Sequence, residues 1–447
     1  MVSYRPPIMT SLGLPWGSLA SWDAAGKCFL SLTVLTAFFV ACCLFLMLRS
    51  GLDPLFLVIT SVCLLAAMGP FPAGEGGVHY FATAFLADSL FAWIAFAAIL
   101  LIPYERATAG PSTADNLVRG ILWAVIFSVG AMTKASFFYF IALVVPILVV
   151  IRARNRGLRS AFIALLSLSI CSLPAALYWL RYGIPALRNA WAASFGHDAP
   201  FYYIPLVQFL SDTVRQSPGL LLPGVFTVAG ILYLVVKRHD IQWGINFLPL
   251  LIMLGYFTIG LASNNREIRY LFEGIIALPF LIGILISRNT YVYSQKAVML
   301  AAALVFCCLV AAGVPMLHRA DRQSIQRSEA VLAQAIGSNA KHILLATDSP
   351  SLNNNLMQLA IAVSPSRPSI ETDNLAWRSL VASPIEDDFR MIRESDLVVF
   401  QKKEALYPPF TNRRFSEYEQ YTWQLAGDVP IKVMGDISIY RMRHDSQ

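Results

Sequence analysis

The chain has 447 residues, of which 57% are hydrophobic and 14% charged, with a net charge of +7; its mean hydropathy is +0.59. A soluble domain carries about 25% charged residues, so this composition excludes a wholly soluble protein and puts the chain in the membrane class. The positive balance does not imply nucleic acid, because the basic residues lie in short loops between apolar runs.

The seven cysteines (Cys28, Cys42, Cys43, Cys63, Cys171, Cys307 and Cys308) lie in or at the ends of apolar runs. Their spacing fits neither a disulfide framework nor a zinc site, and small packing residues are the simplest reading.

A helix needs about 20 apolar residues to cross the hydrocarbon core. In chain order, ten runs meet that pattern, at 28–48, 53–69, 84–103, 118–133, 136–151, 160–180, 218–236, 244–262, 270–287 and 297–317. The fourth and fifth are parted only by Lys134-Ala135, which predicts a tight hairpin. One set of loops carries Arg49, Arg106, Arg119, Arg152, Arg154, Arg156, Arg159, Lys237, Arg238, Arg288 and Lys296, whereas residues 70–83 carry no Lys or Arg. The positive-inside rule makes the first set cytoplasmic. Residues 1–27, 70–83, 181–217, 263–269 and everything after His318 are then extracytoplasmic. Residues 1–27 hold no apolar core of the signal-peptide kind. A further span is therefore expected upstream of Met1, with residues 1–27 the remnant of a first outer loop.

From 319 to 447 charges become frequent and long apolar runs stop. Lys341–Thr347 and Ser395–Gln401 read as buried strands, 322–336 and 351–363 show helical spacing, and Asp436–Arg441 alternates like a closing strand. The expectation is a helical membrane domain at 28–318 followed by a small α/β domain outside the membrane. Asp348-Ser-Pro350 follows a strand, where α/β ligands often bind, but no Gly-rich loop accompanies it and a simple turn is the plainer reading.

Ionisable residues at membrane depth are costly and point to function. Asp88, in Phe85-Leu-Ala-Asp-Ser-Leu-Phe91, falls about one turn into the third predicted span. It is either a functional carboxylate or an acid that complements the helix dipole. Glu75 and His79, in Gly74-Glu-Gly-Gly-Val-His-Tyr80, are either two ligands of a divalent metal or polar residues of a surface loop. Lys134, after Gly130-Ala-Met-Thr133, either pairs with a phosphate or reaches the interface as a snorkelling lysine. Arg266 and Arg269 in Asn264–Tyr270 stand three apart, which on a helix gives one face suited to an anion. His197-Asp198 and Phe201-Tyr-Tyr203 lie in the long outer segment. They suit carbohydrate or lipid-headgroup contact, or an interfacial aromatic belt.

Four segments together resemble the polytopic GT-C glycosyltransferases, in the group of protein O-mannosyltransferases and lipid A aminoarabinose transferases. They are Arg5-Pro-Pro-Ile8, Phe81–Trp93 with Asp88, Gly130-Ala-Met-Thr-Lys134, and Arg266-Glu-Ile-Arg-Tyr270. The resemblance implies an inverting transfer of a sugar from a polyprenyl-phosphate carrier to an extracytoplasmic lipid, glycan or protein hydroxyl, with a divalent metal in some members. It implies a plasma membrane, the inner membrane of a bacterium, and an active face turned outward. It assigns Asp88 as the second acidic residue of the site and Lys134, Arg266 and Arg269 to the donor phosphate; Tyr270 of the late Arg-Tyr motif and His197 of the outer segment are the candidates for substrate contact. The family's first acidic residue, its main base, precedes the Pro-Pro segment and is expected upstream of Met1. A polytopic lipid or glycan transporter and a non-catalytic envelope assembly protein are the competing expectations.

Overall fold

The structure, a computed structural model, describes residues 24–52, 77–107, 113–181, 183, 207, 221–236, 247–262, 322–347, 349, 352–366, 368–375, 378, 384–401 and 414–442. The described residues 28–262 belong to one compact unit and 322–442 to another.

The first unit is helical. Its elements are α1 (Ala24–Arg49), α2 (Gly77–Ala107), α3 (Thr113–Thr133), a short 3-10 turn (Ala135–Phe137), α4 (Phe138–Arg156) and α5 (Leu158–Cys171). After these come α6 (Leu173–Arg181), α7 (Leu221–Val236) and α8 (Leu248–Ala262). Among the described residues, three helical stretches, Leu90–Ala107, Thr113–Thr133 and Ala135–Arg156, are long and apolar enough to cross a membrane. A fourth is added if α5 and α6 count as one span. The predicted spans at 53–69, 270–287 and 297–317 lie outside the described residues.

The third predicted span is longer than its apolar run suggests. The helix α2 has 31 residues, about 46 Å at 1.5 Å per residue, against about 30 Å of hydrocarbon. It starts at Gly77, so His79 belongs to a helix rather than to the predicted outer loop, and Asp88 is eleven residues past the first helical residue rather than one turn in. The run Val78-His-Tyr-Phe-Ala-Thr-Ala84 mixes polar and apolar side chains, which hides a helix from a reading by apolarity alone. Every residue from Leu90 to Ile102 is fully buried. A helix apolar on all sides needs partners all round. Here they include Cys43 of α1, whose thiol donates to the Trp93 carbonyl at 3.4 Å. Phe137, Phe140 and Tyr256, from the 3-10 turn, α4 and α8, close on Phe91.

The predicted hairpin at 134 is present. Lys134 is extended, at φ −154° and ψ 133°. Its N–H still donates to the Gly130 carbonyl at 3.1 Å, while its own carbonyl accepts from Phe137 N–H at 3.0 Å. Gly130 is required there because a Cβ would run into the Phe137 ring. The predicted span at 160–180 is bent by 56° between α5 and α6. Ser172 marks the break, and Pro174 lacks the N–H that would continue the ladder.

The second unit carries a five-stranded sheet, in the order β2-β1-β3-β5-β4. Its strands are β1 (His342–Leu345), β2 (Glu371–Asn374), β3 (Leu397–Gln401), β4 (Lys432–Met434) and β5 (Ile437–Arg441). β1 runs parallel to β2 and β3, and β5 antiparallel to β3 and β4. The helices are α9 (Arg322–Gly337), α10 (Asn354–Val363), α11 (Ile385–Glu394) and α12 (Phe415–Ala426). Alternating strand residues divide between two layers. Ile343, Leu345 and Val399 pack with Val331, Met357 and Ala360 of α9 and α10. Leu344, Val398 and Phe400 pack with Ile392, Phe415 and Tyr418 of α11 and α12. A sheet covered on both faces explains why β1 and β3 read as continuous apolar runs.

Candidate functional site

Lys134 is the predicted site residue whose side chain is described, and its surroundings are aromatic. Its ammonium lies 4.8 Å from the centroid of the Phe91 ring, a distance at which a cation is attracted to the face of the ring. Phe91 is three residues after Asp88 on α2, a spacing that places both positions on one helical face. The break after α3 therefore delivers a cation to the stretch of α2 that carries the predicted acid.

Around Lys134 the aromatic rings form a floor. Phe91, Phe137, Phe140 and Tyr256 stand 5.1 to 6.1 Å apart in successive pairs, within the range of favourable ring contact. Their polar neighbours are paired. Ser136 Oγ and the Tyr256 hydroxyl share a hydrogen bond at 3.2 Å, and the Tyr139 hydroxyl donates to the Ile252 carbonyl at 2.8 Å. Phe91, Phe137 and Phe140 are fully buried, so these rings form packed core that holds the break in place, and Lys134 is the half-buried cation at its edge. Sequence reading missed Ser136, Tyr139 and Tyr256. The pattern Lys134-Ala-Ser-Phe-Phe-Tyr139, polar groups set into aromatics beside a helix break, was the available signal.

Glu75, His197, Arg266, Arg269 and Tyr270 lie outside the described residues. His79 and Asp88 are placed by backbone only, both on α2 and nine residues apart. Among the described residues, no group of three His, Cys, Asp or Glu side chains could hold a metal.

The opposite end of the same helices holds a buried ion network that the loop-charge reading did not anticipate. Glu105 of α2 accepts from Arg119 Nη1 at 3.3 Å and from Arg152 Nη1 at 2.8 Å. Arg119 Nε also donates to Asp115 Oδ2 at 2.8 Å, and Arg152 Nη2 lies 3.5 Å from the same oxygen. Asn116 Oδ1 accepts from Arg152 Nη2 and from Ser160 Oγ, the latter at 2.7 Å. The Arg119 guanidinium also sits 4.7 Å from the centroid of Tyr104. Arg119 and Arg152 are thus buried helix residues, not solvent-exposed loop charges. Two carboxylates within reach account for the difference, because a charge in low dielectric must be paired. The network ties α2, α3, α4 and α5 together. Asn116 and Thr133 are seventeen residues apart on α3, about 26 Å along the axis, so it lies far from Lys134.

In the second unit the most buried charge is Asp388, with no exposed surface. Arg378 Nε donates to its Oδ1. Arg414 Nη1 at 2.8 Å and the Tyr418 hydroxyl at 2.6 Å donate to Oδ2. Burial first, and then the adjacent Asp388 carboxylate, push the Tyr418 phenol well above its ordinary range. These contacts join α11 to α12 and read as structural.

At the carboxyl ends of the parallel strands, Thr347 Oγ1 donates to Gln401 Oε1 at 3.0 Å, and Gln401 Nε2 donates to Asp436 at 2.7 Å. Ser349 and Leu352 bond each other's backbone at 3.0 and 3.3 Å, and Asn353 caps α10 through Leu356 N–H.

No family model, curated protein or solved structure matches this chain.

Proposed function

We propose that this chain is a membrane glycosyltransferase of the GT-C type, with about ten spans and its C-terminal domain on the extracytoplasmic side. It moves a sugar from a polyprenyl-phosphate donor to an acceptor hydroxyl, with inversion at the anomeric carbon. The observation that supports it most is Lys134, which the Gly130 hairpin sets over Phe91, itself one turn beyond Asp88 on α2. A prenyl phosphate carries an anionic head, and the Lys134 ammonium complements that charge. In this reading Lys134, with Arg266 and Arg269, holds the phosphate as it leaves. Asp88 is the second acidic residue of the site, acting beside the main base that the resemblance places ahead of the Pro-Pro segment. Tyr270 and His197 contact the substrates, and Glu75 with His79 is the candidate pair for a divalent metal.

A second reading has its own support. The 56° bend between α5 and α6 is a discontinuous helix, a feature of transporters, whose binding sites are built at such breaks. Proteoliposomes loaded with an acceptor and supplied with a radiolabelled polyprenyl-phosphate sugar separate the two. The first reading predicts label covalently attached to acceptor. Label that crosses the bilayer still attached to the carrier supports the second and contradicts the first.

A further inference from the structure

We infer that the corner between α4 and α5 is a seat for an anionic phospholipid headgroup. Four arginines at this end of the bundle are of two kinds. Arg119 and Arg152 are buried and neutralised by Glu105 and Asp115, so they offer no charge to the outside. Arg154, near the end of α4, and Arg159, at the start of α5, are exposed, and neither meets a carboxylate among the described residues. Two guanidiniums without a carboxylate partner among the described residues are thereby presented on either side of one turn.

Large apolar side chains accompany them. Val150, one turn before Arg154, is 64% exposed, Leu158 81% and Phe162 65%. On each helix the apolar residue deeper in the bundle stands above a basic residue nearer its end, the order in which a phospholipid presents acyl chain and phosphate. Gly157 makes the corner possible. Its φ of +85° is one that residues with a side chain rarely adopt, and no neighbour would touch a Cβ there, so backbone conformation accounts for the glycine. A phosphate diester is the complementary partner, since guanidinium groups bind it in a fork. The inference needs only placement in a membrane and not the transfer reaction, so loss of sugar transfer leaves it untouched.

The test is lipid retention by the purified full chain, measured by native mass spectrometry from micelles with equal phosphatidylglycerol and phosphatidylcholine. Two basic groups near an anionic lipid predict a preference for phosphatidylglycerol on the order of tenfold. Arg154→Gln with Arg159→Gln should bring the ratio close to one, with the thermal midpoint in phosphatidylcholine alone unchanged. Arg154→Lys with Arg159→Lys should keep most of it, and Arg106→Gln should leave it intact. A folded double glutamine variant that retains the preference overturns the proposal, as does equal loss in Arg106→Gln. A second measurement requires no variant: the wild-type ratio should fall toward one in 1 M salt, on the order of the screening expected at that strength. A ratio indifferent to salt overturns the proposal. So does displacement of the lipid by free glycerol phosphate, which would assign the seat to a soluble ligand.

Discussion

Lys134 places its ammonium 4.8 Å from the centre of the Phe91 ring, and Phe91 stands one helical turn beyond Asp88. Three pieces of local chemistry produce this. Gly130 gives Phe137 room against α3, Thr133 turns its hydroxyl back to the Val129 carbonyl at 2.7 Å, and Lys134 leaves the helix in an extended conformation. If the ammonium holds a lipid phosphate, Lys134→Gln removes a charge-assisted bond of about 1.5–3 kcal/mol. The dissociation constant for a radiolabelled polyprenyl phosphate should rise by about 10- to 150-fold. Lys134→Arg should keep most of the affinity. An unchanged constant in Lys134→Gln would remove the lysine from the phosphate site.

Glu105 is the hub of the buried network, and both it and its partner Arg152 are almost fully enclosed. Glu105→Gln leaves two guanidiniums buried against a neutral amide. The expected loss is about 3–5 kcal/mol, seen as a sharp fall in thermal midpoint in detergent. Asp115 is 32% exposed, so Asp115→Asn should cost much less, about 1 kcal/mol. Equal effects from the two would mean that the network is solvated.

Helices α3 and α5 approach closely at Gly120, where an added Cβ would come within 2.5 Å of the Ala164 carbonyl and of Ser167 Cβ. Small residues allow such contact between helices in a membrane. Gly120→Ala forces α5 outward at a cost of about 1–3 kcal/mol, whereas Gly224→Ala, where no atom lies within 4 Å, should be tolerated. Similar thermal midpoints for the two variants would argue against this packing.

The second unit makes a prediction about pH. The Tyr418 phenol is raised by burial and by its bond to Asp388, so the folded state favours its neutral form. Stability from this group is complete below its unfolded pKa of about 10 and is lost as pH rises beyond that toward the folded value. Thermal midpoints of the wild type should fall above pH 10 more steeply than those of Tyr418→Phe. Parallel curves would show that the phenol does not contribute.

What could be read from the sequence follows from what each element buries. The strands at 342–345 and 397–401 were legible because both faces of the sheet are covered and each run is apolar but for His342 and Gln401. β2, Glu371-Thr-Asp-Asn374, was not, because it is an edge strand paired to β1 through its backbone and carries no apolar alternation. α11 places Ile385, Phe389 and Ile392 at helical spacing, a signal present but not used. The hairpin at Lys134 was visible as a gap between two apolar runs. The burial of Arg119 and Arg152 was not, since a charge count along loops cannot show that Glu105, fourteen residues before Arg119, returns to meet both. The start of α2 was missed because His79 and Thr83 interrupt its apolarity. Asp88 and Lys134 emerged from the sequence as separate candidates, and only the packing of the 3-10 turn on α2 relates them.

The proposed transfer of sugar depends on the Asp88 carboxylate. The most direct measurement is the rate of label transfer from a polyprenyl-phosphate sugar, in membranes from cells expressing the protein, with wild type compared to Asp88→Asn at equal protein level. The rate should fall by about 10²- to 10⁴-fold, the usual contribution of a positioned acid or base, with binding of the polyprenyl phosphate retained. Transfer at the wild-type rate in Asp88→Asn would contradict it.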